Sequence, residues 1–171
     1  MANYCVVRTD RMMATDVRSM LESVKYQVAD TEGAMVDTAI ENGNVVKVGS
    51  LISGEREVKS ATTPAATTKL DEVVLVAAPE VMYDERKRNL DEYRNEAGQI
   101  VRGYHLHSGD IFSVTAEGLK NASPAVDQVI ELAASTKWNN VATATQGSTV
   151  VGKIIAEEVV GRYTYYVIQV A

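Results

Sequence analysis

The sequence predicts a mainly β protein: a small sandwich or barrel with an extended N-terminal arm and one charged helix or excursion. Three observations carry that expectation. Short β-branched and aromatic runs recur along the chain, separated by residues of turn character. The closing stretch, 162–170, alternates tyrosines, valines and isoleucine in the strongest strand pattern of the chain. Only one stretch, 84–96, is charged over enough length to be a solvated helix or a long excursion. With 171 residues the chain reads as one domain, residues 1–30 forming the arm and first strands and 31–171 the β-rich body.

Taken in order, residues 4–8 read as a short strand, Tyr4, Val6 and Arg8 on one face and Cys5 and Val7 on the other. Residues 15–22 read as a short helix or irregular arm, and 23–28 as a strand. Asn42-Gly43 marks a turn with positive φ, followed by the β-branched positions Val45, Val46, Val48 and Ile52. Ser53-Gly54 turns into an alternating segment, 55–61, and the small, Pro-bearing stretch 61–68 is a loop. Residues 73–78 form an unbroken apolar run, short enough for a strand buried on both faces, with Pro79 to stop it. Segment 84–96 holds five acidic and four basic residues, so its far field nearly cancels. Residues 100–115 read as a hairpin or paired strands about the turn Ser108-Gly109-Asp110. Within 126–132 a helix and a strand are both open, alternation fitting the strand better. Strands follow over 136–144 and 150–155, with a turn at Gln146-Gly147-Ser148 between them.

Composition narrows the function classes. Net charge is −6, which argues against a chain whose main work is gripping nucleic acid, since backbone binding needs clustered cations. One Cys and two His exclude most structural zinc sites and iron–sulfur clusters. The longest strongly apolar run is far below the roughly 20 residues of a membrane helix, and no secretory signal pattern opens the chain. Cys5 reads as a small buried hydrophobe in preference to a reactive thiol.

The strongest enzyme-like feature is the pair His105 and His107, followed by Asp110. Two imidazoles at i,i+2 on a strand share a side, and the pattern resembles part of the first motif of cupins, metal-holding β-barrels. Asp110 comes early for the carboxylate of that motif, and the chain has no third His, so the ligand set is incomplete. Neither a nucleophile elbow nor a Gly-rich phosphate loop is present. No catalytic residue, metal or cofactor is therefore assigned.

Several stretches together resemble the head decoration proteins of tailed bacteriophages, also described as cement or head-fibre proteins. They are 1–10, 44–51, 78–87, 102–114 and 161–170. The resemblance implies a non-enzymatic virion protein, made in the bacterial cytoplasm, that binds the outside of the capsid and stabilises the shell. Its implied partners are the major capsid protein and further copies of itself, a trimer favoured, with no membrane and no specific nucleic acid. A tail-tube or other ring-forming subunit is the structural alternative, and a cupin-like enzyme using His105, His107 and Asp110 the alternative of another class. Candidate partner contacts are Tyr4, Val6 and Arg8 in the arm, adding a strand to an exposed edge, and Tyr83, Arg86, Arg88, Tyr93 and Arg94 in the charged segment.

Overall fold

A computed structural model of the chain describes residues 3–8, 21–84, 86 and 89–171. Of the helix or irregular arm expected over 15–22, residues 15–20 lie outside the described residues, as does Arg88, and residues 21–22 begin a strand. The fold is mainly β and consists of a closed five-stranded barrel and a second five-stranded sheet.

Strands β1 (Leu21–Ala29), β2 (Met35–Asp37), β3 (Val45–Leu51), β4 (Val58–Thr62), β5 (Val73–Val76) and β6 (Val101–Tyr104) build the barrel side. β1 pairs in parallel with β4, β4 and β5 flank β3, β5 pairs with β6, and β6 returns to β1. That last pairing, Leu21 opposite Tyr104 and Glu22 opposite Gly103, closes the ring and leaves no free barrel edge. β2 hangs from the far end of β1 as a short ribbon. The second sheet is antiparallel in the order β7-β11-β10-β8-β9. Its strands are β7 (Ile111–Thr115), β8 (Val129–Glu131), β9 (Asn139–Val141), β10 (Val150–Val160) and β11 (Tyr163–Val170).

β5 is the wall both layers share. All four of its residues are buried, and the two-residue period of a strand sends them to opposite sides. Val74 and Val76 point into the barrel with Val24, Tyr26, Val46 and Val101. Val73 and Leu75 point outward, into a core completed by Phe112, Val114, Ile130, Trp138, Ile154 and Ile168 of the second sheet. The unbroken apolar run of the sequence is thus a strand with two dry faces. Trp138 crosses the layers and donates its indole N–H to Gly43 O at 2.7 Å. Gly103 faces the barrel interior, where a Cβ would come within 2.5 Å of Val74 Cγ2, so the barrel tolerates no side chain there.

The expected pairing within 100–115 does not occur. β6 joins the barrel and β7 the second sheet, because the apolar residues of the two strands belong to different layers. Residues 5–8 run along the edge of β7: Val6 N–H donates to Thr115 Oγ1, Thr115 N–H donates to Val6 O, and Arg8 N–H donates to Ser113 O. Cys5 and Val7 enter the shared core, as the alternation of the sequence suggests.

Candidate binding surface

The 24 residues between β5 and β6 form the excursion expected over 84–96; its described part holds a single 3-10 turn, Leu90–Glu92, and no α-helix. Its feet are fastened by buried polar groups. Asn95 is fully buried and exchanges both backbone hydrogen bonds with Ile40 at 2.9 Å. The Asn95 amide donates to Ile40 O and to Asn42 Oδ1, while Asn42 in turn receives Ala78 N–H and donates to Ala78 O. The Tyr93 hydroxyl lies 3.1 Å from Pro79 O and 3.0 Å from Asn95 Oδ1. Buried amides satisfied this completely hold their backbone in one arrangement, since any slip would strand a polar group away from water.

A second anchor reaches the other layer. Asp91, buried in the 3-10 turn, accepts hydrogen bonds from Arg162 and, at 2.8 Å, from the Tyr163 hydroxyl on the β10–β11 hairpin. Burial pushes the Asp91 carboxyl up, but the Tyr163 and Arg162 donors outweigh it and hold the group below the ordinary carboxylate range.

Between these anchors the excursion presents its outer surface. Tyr83 is 93% exposed and Val81 56% exposed, beside a cleft of about 270 Å³ lined by Met82, Tyr93, Arg94 and Gln99. Gln99 also lines a second cleft, of about 390 Å³, together with Leu21 and Ile100. Charges here pair locally: Arg86 spans both Asp84 oxygens at 3.0 and 3.1 Å, and Arg94 meets Glu96 at 3.3 Å. Exposed pairs of this kind add little stability, yet they leave a surface of weak net field around exposed apolar groups.

Of the candidate partner contacts, Tyr83 and Arg86 stand in solvent. Tyr4 and Arg94, distant in sequence, meet, with the guanidinium 5.8 Å from the ring centroid. Val6, Arg8 and Tyr93 are buried, which corrects their reading as surface contacts. The cause is the same for all three: each is used inside its own chain. Arg8 lies over Tyr165, 5.4 Å from the ring centroid, and 3.9 Å from Glu158. The strand addition expected of residues 4–8 is intramolecular, onto β7.

His105 and His107 enter different arrangements. His105 Nε2 lies 3.3 Å from Glu22 Oε1, which also accepts Lys59 Nζ at 2.7 Å, at the seam that closes the barrel. His107 stays at the turn, where its backbone N–H donates to Asp110 Oδ2. No cluster of three or more His, Cys, Asp or Glu suited to a metal occurs among the described residues. The Cys5 thiol is buried, and desolvation raises its pKa far above the ordinary value, with Glu41 and Glu117 adding to the effect.

Sequence reasoning missed Glu131 and Asp91, two nearly fully buried carboxylates. Glu131 accepts Asn139 Nδ2 and the Thr145 backbone N–H, both at 2.8 Å, and so ties β8 to β9 and to the following loop. For Glu131 the only signal in the sequence was its acidity among apolar neighbours, and Asp91, within the charged stretch 84–96, carried none. Comparison of the chain with protein-family models, with curated proteins and with solved structures gave no match.

Proposed function

We propose that this chain is a non-enzymatic structural protein of a tailed-phage virion that binds the outer surface of the capsid and stabilises the shell. The observation that carries the reading is the surface around Tyr83: exposed apolar groups on a loop anchored at both layers, beside the local ion pairs Asp84–Arg86 and Arg94–Glu96. Such a surface suits docking onto a fixed partner, since little ordering remains to be done on binding. The excursion also overlaps the stretch 78–87, one of those that resemble decoration proteins. In this reading the partner is the major capsid protein, and the chain binds as an oligomer, a trimer favoured. Stabilisation is mass action: contacts formed only with the assembled shell favour that state, and repetition over many sites multiplies a weak contact.

The test is co-sedimentation of purified protein with expanded capsid shells that lack it, together with its copy number in purified virions by quantitative mass spectrometry. Saturable binding, abundance comparable to the capsid subunit, and about tenfold or greater weakening by Tyr83→Ala are the expected results. Absence from virions overturns the proposal, and a small fixed number of copies assigns the chain to the tail instead.

A further inference from the structure

β10 is far longer than the strand that covers its outer side. β8 pairs with it only from Val150 to Lys153, and Ile154 closes that ladder through Gln128 O and Asp127 N. From Ala156 to Val160 the strand continues along β11 alone, in register down to the two-residue turn at Gly161-Arg162. Among the described residues no strand pairs with the other edge of this five-residue segment. Alternate peptide groups there turn their N–H and C=O away from β11 and find no backbone partner among the described residues, which is the template for an added strand.

Side chains on the segment fit that role. Val159 is 71% exposed and Val160 43% exposed. The cations near the edge are already engaged, Arg162 by Asp91 and Lys153 by Asp127 at 3.6 Å. Glu158 lies near Arg8, whereas the exposed Glu157 has no ion-pair partner among the described residues. The edge thus presents backbone donors and acceptors, two valines and one carboxylate without an ion-pair partner among the described residues.

This pattern decides between occupants. A second copy pairing antiparallel about the middle of this edge would bring either Glu157 or Glu158, according to register, against its own counterpart, and like charges across a ladder are unfavourable. The other short ribbon, β1–β2, carries Asp30 and Glu32 at its turn, while its Asp37 is paired with Lys25 at 3.6 Å. Self-pairing through the β10 edge is opposed by charge, while a basic strand is favoured. We infer that the Ala156–Val160 edge of β10 is a strand-addition site for an extended segment of another protein that alternates basic and β-branched residues. The inference is independent of whether that protein is a capsid subunit.

The experiment titrates the full-length protein with two blocked six-residue peptides, one alternating Lys and Val and one alternating Glu and Val. Binding is followed by amide shifts and amide hydrogen exchange. The expected result is saturable binding of the Lys–Val peptide, with slowed exchange at Glu157 or Val159, and binding of the Glu–Val peptide about tenfold weaker or worse. Val159→Pro removes one edge N–H and should abolish the effect, and Glu157→Lys should reverse the preference. Circular dichroism of each variant establishes that the fold is retained. Equal binding of both peptides, shifts located elsewhere, or unchanged binding to a folded Glu157→Lys variant overturns the inference. A concentration-dependent dimer that Val159→Pro dissolves overturns it too, because the occupant would then be a second copy.

Discussion

Replacing Glu131 with Gln tests whether a buried carboxylate holds the second sheet together. The side chain is 1% exposed, and its two oxygens receive one donor each, Asn139 Nδ2 and Thr145 N–H. Gln offers one oxygen and one NH2, so either the Asn139 amide or the Thr145 N–H would face a donor. The variant loses a charge-assisted bond and leaves a buried donor unsatisfied, for a destabilisation of about 2–3 kcal/mol. For a chain of this size that corresponds to a fall in Tm of roughly 5–10 °C. The pH dependence supplies a second readout. Burial raises the Glu131 pKa, but hydrogen bonds from Thr145 and Asn139 and the charge of Lys120 outweigh it and leave the group below its ordinary value. A folded-state value below the unfolded one means stability that is complete above the unfolded pKa and is lost as pH falls through the folded one. The gap between wild type and Glu131→Gln should therefore be full at pH 7, narrow below about pH 4 and close in stronger acid. Thermal melts and urea midpoints across that range measure it. A gap under about 0.5 kcal/mol at pH 7, the size of an ordinary surface substitution, would refute the reasoning. So would a gap that stays constant into acid.

Three further outcomes are expected. Gly152→Ala places a Cβ 2.0 Å from Gln169 O, a backbone atom of the paired strand. The β10–β11 ladder must move apart, and a loss of about 3 kcal/mol or more, read as a lower urea midpoint, is expected. Asp91→Asn weakens the attachment of the excursion to the β10–β11 hairpin, so amides around Tyr93 should exchange faster while those of β5 are unchanged. Equal acceleration in both places would mean that Asp91 supports the whole fold and not this attachment. Cys5, buried with a raised pKa, should resist a thiol reagent in the native protein at pH 8 and react at once in denaturant; prompt native labelling would contradict its burial.

The strand content was legible because it rests on local pattern. A strand shows its period within a few residues, so the apolar run 73–78 and the tyrosine-rich close announced β5 and β11. The positive φ of Gly43 was equally readable, since Asn-Gly is local turn chemistry, and so was the turn at Gln146-Gly147-Ser148. Exposure of Tyr83 and Arg86 followed from the charge density around them. Burial of Arg8 and Tyr93 did not follow, because each depends on a partner far along the chain, Tyr165 for the first and Pro79 with Asn95 for the second.

What the sequence determined by itself is therefore the class of structure: a β-rich chain with turns at its Gly-bearing dipeptides and one charged excursion. Only the tertiary structure decided how the strands are shared between barrel and sheet. Residues 100–115 look like one hairpin, yet Val101 belongs inside the barrel and Phe112 in the core between the layers, so the two strands part. It also decided that residues 5–8 cover β7 while, among the described residues, Ala156–Val160 of β10 pairs with β11 alone. The physical reason is range. Alternation and turn propensity act over a few residues, whereas pairing, sheet closure and the cost of an unmet buried polar group depend on whichever distant segment arrives to meet them.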